Sequence, residues 1–187
     1  TVLTGTGAKV GLVTTKGYKQ VLQIARSFVP GGLGGWVIYN KSLPMAPLAN
    51  TIEADERVGT KGDVVTKLDE AKLRNDLAGL SGKIEALTVS LINAFANDKH
   101  ERRIKEIANE VLPGIPVSLS SEVVPEMQEY ERTVTTVANS YVRPRVQKYV
   151  HNLQSKLSAK SKDVKLHILR SDGGLASAKS AEDFPVN

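Results

Sequence analysis

Residues 84–92 read IEALTVSLI. Apolar and β-branched side chains fill a run too short for a buried helix, which marks a buried strand. The next thirty residues set the fold class. Asn97-Asp98 supplies a cap for an amphipathic helix to Leu112, with Ile104, Ile107, Ala108 and Val111 inward. Pro113-Gly114 breaks that helix, and Ile115 to Leu119 is another strand. Strands alternating with helices from residue 84 onward predict an α/β architecture with a mixed or mostly parallel sheet.

Upstream, Ala8 to Thr14 reads as a buried strand, and Tyr18 to Arg26 as a helix carrying Val21, Leu22 and Ile24-Ala25 on one side. Residues 30–50, with Pro30, Pro44, Pro47 and the run PGGLGGW, form a long loop. Thr51 to Val58 and Asp63 to Thr66 flank Gly59-Thr60-Lys61-Gly62, the composition of a β-hairpin. Asp69 to Leu80 is a helix with Leu73, Leu77 and Leu80 on one face.

From Pro125 the pattern turns to long helix, with Val134, Val137, Ala138, Tyr141 and Val142 as one stripe. Pro144 interrupts it and predicts two helices meeting near Arg143. Val164 to Leu169 is a strand, and Ala176 to Asp183 a short helix. The change near Pro125 divides the chain into an α/β region, 1–124, and a second region, 125–187, with long helices.

Candidate chemistry is sparse. The absence of cysteine excludes disulfides, thiolate zinc and cysteine nucleophiles, and fits a cytoplasmic protein. No apolar run approaches the length of a membrane span, and no signal peptide is visible. The formal charge is +5, but Lys and Arg alternate with acids. The Arg143, Arg145, Lys148 patch reads as a solvated helix face, so neither nucleic acid nor membrane is a predicted partner. His100, His151 and His167 lie too far apart to make a metal site, and Glu122, Glu126, Glu129 and Glu131 read as a charged helix start.

The glycine-rich GTGAKVG and PGGLGGW runs lack the strand-before, helix-after context of a phosphate loop. Ser171-Asp172-Gly173-Gly174 has that context, between a strand and a helix, although Asp-Gly and Gly-Gly are also ordinary turn dipeptides.

Three blocks together carry a resemblance: KVGLVTTKGYKQVLQIAR, the long stretch from EALTVSLINAFANDKHERR to ANSYVRP, and HILRSDGGLAS. The chain resembles the hydantoinase A / 5-oxoprolinase family, the ATP-using subunits of N-methylhydantoinases, oxoprolinases, and acetone and acetophenone carboxylases. The segment PGGLGGWVIYNKSLPMAPLANTIEADERV is more similar to the ketone-carboxylase branch.

The resemblance implies an actin-like ATPase fold of the sugar kinase/heat-shock protein type. It also implies ATP with Mg2+, partner subunits of a hetero-oligomer, and a small ketone or cyclic amide activated by phosphorylation at oxygen. Ser171, Asp172, Gly173 and Gly174, with Glu131, Arg132 and Thr133 of an EYERT turn, are its implied cleft-lining positions; it assigns no catalytic residue. The family's acidic, glycine-rich phosphate motifs fall outside residues 1–187. The chain is thus expected to be an internal fragment, inactive alone and binding no cofactor. The competing expectation is a non-catalytic subunit-contact or binding module.

Overall fold

The computed structural model describes residues 1–26, 42–160, 165–170 and 173–186. In chain order the elements are β1 Val10–Thr15, α1 Val21–Ile24, β2 Thr51–Ala54, β3 Arg57–Val58, β4 Val64–Thr66, α2 Glu70–Ala78, β5 Ala86–Ser90 and α3 Lys99–Val111. The second half holds β6 Val117–Leu119, α4 Ser120–Val123, α5 Glu129–Lys160, β7 His167–Leu169, β8 Leu175–Ser177 and α6 Ala178–Asp183.

Four strands form one wholly parallel sheet in the order β2-β1-β5-β6. Its central strands must bury both faces, and their alternation shows how. Val13, Leu87 and Val89 point to one side, where Leu73 and Leu77 of α2 and Ile104 and Ile107 of α3 complete the larger core. Val10 and Leu12 point to the other side, against Val137 of α5. Each such large side chain removed from water contributes on the order of 1.5–3 kcal/mol.

The α5 face differs from the apolar stripe expected of it. Thr133, Thr136, Asn139 and Ser140 are buried there beside Val137. Hydroxyls on the sheet answer them: Thr88 Oγ1 donates to Ser140 Oγ at 2.7 Å, and Ser90 and Thr133 share a 2.7 Å bond. A buried polar surface is tolerated where its groups find partners, as they do here except at Asn139 Oδ1, which has none among the described residues.

Four expectations are corrected. Thr51–Ala54 leaves the expected hairpin and joins the main sheet parallel to β1, which buries Thr51 and Ala54. Only Arg57–Val58 pairs with the exposed β4. The helix after β1 shrinks to the four residues of α1. Pro144 lies inside one continuous α5. Tertiary bonds pin the helix beside the proline: Ala8 N donates to Tyr141 O at 2.8 Å, and Arg143 donates to Val117 O at 2.8 Å and to Asp183 Oδ1 at 2.5 Å.

Finally, the strand–loop–helix expected after Leu169 gives way to a second strand. The strand β8 follows β7 antiparallel, with Leu169 opposite Leu175, and α6 begins only afterwards. Gly173 takes φ +84°, donates to Arg170 O at 3.0 Å, and Gly174 O accepts from Arg170 N at 2.8 Å. The PGGLGGW run, Ser171 and Asp172 lie outside the described residues. Among the described residues no helix is long and apolar enough to cross a membrane.

Candidate functional site

In the order β2-β1-β5-β6 the connection from β1 leads one way and that from β5 the other. Between β1 and β5 is therefore a topological switch point, and open parallel sheets bind ligands in the crevice outside the carboxyl ends at such a point. A cavity of about 760 Å3 opens there. Gly17 and Tyr18 line it after β1, Ile92 and Asn93 after β5, Arg57 from β3 and Tyr130 from the first turn of α5. Ile24 and Leu48 add apolar wall.

Beneath the cavity, buried side chains fix the strand ends. Thr15 Oγ1 donates to Glu56 Oε1 and accepts Ile92 N at 3.0 Å, bridging the ends of β1 and β5. Glu56 Oε2 bonds His100 Nδ1 at 2.7 Å, and both residues are buried. Asn93 holds a left-handed backbone, φ +58°, which asparagine tolerates. Its Nδ2 donates to Val58 O at 2.9 Å and ties the β5 end to β3.

A second group closes the neighbouring strand end. Glu101 is wholly buried, and accepts Leu91 N at 3.0 Å, Ser120 Oγ at 2.6 Å and Ser121 N at 2.9 Å. Burial pushes its carboxyl above the ordinary range, against the pull of those bonds. Arg132, 1% exposed, donates to Ser120 Oγ, Glu126 O and Leu91 O and stands 5.6 Å over the Phe95 ring.

Of the residues marked by resemblance, Glu131, Arg132 and Thr133 lie in the first turn of α5 rather than in a turn between elements. Arg132 and Thr133 are buried behind the carboxyl ends of β5 and β6, and Glu131 pairs with Arg26 at the surface. Gly173 and Gly174 belong to the β7–β8 hairpin. That hairpin's Ile168 meets Val146 of α5 across a smaller crevice of about 320 Å3. Val146 lies about 21 Å along the helix from Arg132 by the α-helical rise. The structure thus gathers Arg132 and Thr133 at one end of α5 and places Gly173 and Gly174 in a separate hairpin whose Ile168 faces the helix's middle.

The sequence reading missed Thr15, Glu56, Arg57, Asn93, His100 and Glu101. For His100 a signal existed. It precedes Ile104, Ile107, Ala108 and Val111 by 4, 7, 8 and 11 residues, the spacing of one helical face.

The loop after β1 does not suit a triphosphate. Glu53 Oε1 takes the Gly17 N–H at 2.8 Å, and Asp55 takes the Lys16 ammonium at 2.5 Å. An anion there would meet carboxylates. The charged side chains on the large cavity's wall balance, Lys19 and Arg57 against Glu53 and Glu129, and the rest of the lining mixes tyrosines and aliphatics with the neutral polar Gln20, Thr60 and Asn93. Such a wall suits a small neutral molecule with a polar edge. Among the described residues no three His, Asp or Glu side chains converge to hold a metal ion.

Proteins of known kind resemble this chain in sequence and in fold. The acetophenone carboxylase gamma subunit of Aromatoleum aromaticum is 30% identical over 188 residues, covering 91% of this chain and 25% of that protein. The crystal structure of the ATP-dependent caprolactamase of Pseudomonas jessenii superposes with a TM-score of 0.83 at 25% identity, over 98% of this chain and 27% of that one. Nucleotide-free acetone carboxylase superposes with a TM-score of 0.84 at 22% identity, over 97% and 27%. The parallel sheet with its long helix is thus a fold these proteins share, consistent with part of an actin-like ATPase. The chain spans about a quarter of their length. The profile of the hydantoinase/oxoprolinase N-terminal region matches residues 1–112, that of hydantoinase/oxoprolinase matches residues 132–187, and the chain accordingly belongs to the hydantoinase/oxoprolinase family.

Proposed function

We propose that this chain is part of the ATP-using subunit of a hetero-oligomeric enzyme, either a ketone carboxylase of the acetone/acetophenone type or a hydantoinase/5-oxoprolinase. The observation that carries this reading is the neutral, partly apolar cavity at the switch point of a family sheet. In this reading the cavity holds a small ketone or cyclic amide. ATP, when bound, supplies the phosphoryl group that activates the substrate's carbonyl or enolate oxygen.

The chain's own residues bind and orient. Ile24, Leu48 and Ile92 exclude water from the substrate, and the Thr15–Glu56–His100 array holds the strand ends at a fixed separation. Arg132 and Thr133 brace that wall, Glu131 borders it, and Ser171, Asp172, Gly173 and Gly174 are further cleft-lining positions in this reading. The residues present at the β1 loop fit neither a triphosphate nor Mg2+, so this chain's residues are assigned no contact with either. The chain alone turns over no ATP. Relatives named as gamma, alpha and beta subunits support an assembly with other subunits.

The test is substrate-dependent phosphate release from ATP by the complete polypeptide of the gene, with its companion subunits. Release driven by a cyclic amide, or by a ketone with bicarbonate, is the expected result. Release driven by neither, with the assembly folded and nucleotide-bound, would sink the reading. Asp172→Ala lowers turnover in that assay by more than its loss of stability, read separately by melting, accounts for.

A further inference from the structure

We propose that Arg57 and Asn93 are the specificity-determining pair of the large cavity, together reading the adjacent C=O and N–H groups of a small cyclic amide. The inference rests on the cavity being the substrate site.

Asn93 lines the cavity from the end of β5. Its Nδ2 is committed to the Val58 carbonyl at 2.9 Å, which fixes the carboxamide's orientation and leaves Oδ1 with no partner among the described residues. Val58 directly follows Arg57, so the same hydrogen bond holds the two side chains on neighbouring parts of one wall.

Arg57 is half-buried and stands 5.6 Å over the Tyr18 ring, with no carboxylate paired to it among the described residues. A guanidinium held against an aromatic face and spared an acidic partner keeps its N–H donors for a ligand. The cavity wall therefore offers a fixed acceptor and, on the same wall, a guanidinium donor over an aromatic ring.

A lactam in a small ring is necessarily cis, so its N–H and C=O lie on one edge and match such a pair. Its methylenes would face Ile24, Leu48 and Ile92. A ketone of the same shape can satisfy Arg57 but leaves Asn93 Oδ1 bare. Sites built to bond a polar group reject the analogue lacking it, because the site's own group is then left unpaired. The pair selects for ring amides over ketones, against the ketone-carboxylase likeness of residues 30–58.

Three ligands of near-equal shape test this on the 15N-labelled 187-residue chain: 2-pyrrolidinone, N-methyl-2-pyrrolidinone and cyclopentanone, titrated while the amide signals of Tyr18, Ile92 and Tyr130 are followed. The expected result is that 2-pyrrolidinone binds about tenfold more tightly than either analogue. Asn93→Gly, which keeps the left-handed backbone, removes that preference at an otherwise native spectrum; Arg57→Met weakens all three. Equal binding of the three ligands at the cavity, or a preference that survives Asn93→Gly, overturns the assignment of the pair while leaving the cavity as the substrate site. No shift at these residues with any ligand overturns both. The comparison on the unaltered chain requires no variant to fold.

Discussion

Glu101 and Arg132 meet through one hydroxyl: Ser120 Oγ donates to Glu101 Oε1 at 2.6 Å and accepts Arg132 Nε at 3.1 Å. The two opposite charges, both wholly buried, therefore share a neutral intermediary, and both also bond the Leu91 peptide, one at its N–H and one at its carbonyl. Removing either charge strands the other in a low-dielectric interior. Arg132→Ala is expected to cost about 3–5 kcal/mol in urea unfolding. Lys105→Ala, which severs a more exposed pair with Glu122, is expected to cost less than about 1 kcal/mol. Similar losses for the two would contradict this account.

Leu77 is fully buried between α2 and the sheet, in the same cluster as Ile107 and Leu87. Leu77→Ala leaves a cavity in a close-packed layer and should lower stability by about 2–5 kcal/mol, measured by chemical denaturation.

Gly7 sits against the ring of Tyr141. A Cβ there would come within 2.1 Å of Tyr141 Cε1. Gly7→Ala should cost about 1–3 kcal/mol by overpacking. In a Tyr141→Leu background that penalty should shrink, and a double-mutant cycle returns the coupling. Simple additivity would show that the ring yields freely.

Burial alone would raise the Asp183 carboxyl, but hydrogen bonds from Lys179 and Arg143 outweigh it and hold the group below its ordinary 3.8. A carboxyl depressed on folding gives stability that is full above the unfolded value and is lost as pH falls through the folded one. Docking of α6 on α5 should therefore weaken as pH drops below about 3.8, seen as loss of dispersion in the α6 amide signals. Asp183→Asn should dock more weakly at neutral pH and show no such transition.

The parallel sheet was legible because IEALTVSLI is an apolar run with no other stable use, and Leu73, Leu77, Ile104 and Ile107 announce their helix faces by spacing. The covering face of α5 was legible only in part. Thr133, Thr136 and Ser140 fall outside the apolar stripe that the sequence predicts, yet Thr88 and Ser90 hide matching hydroxyls inside the apolar run. Partner choice decides such cases, and it lies some forty to fifty residues away. Pro144 misled for the same reason. Local rules end a helix there, whereas the Ala8 and Arg143 bonds that hold it together are tertiary. Arg57 and Asn93 carried no local signal, because two side chains become neighbours only when a β5 loop folds onto β3.

The position of β1 in the middle of the sheet also sets a schedule. Its partner on one side, Ile52, follows Val13 within the first third of the chain, but Val89, the partner on the other, follows it by about 76 residues. At translation rates of about 5–20 residues per second, a nascent chain carries the inner edge of this strand unpaired for on the order of 4–15 s. For that interval Val10, Leu12 and Val13 present a bare, sticky ladder, and it falls to the cell's chaperones to shield it until β5 emerges.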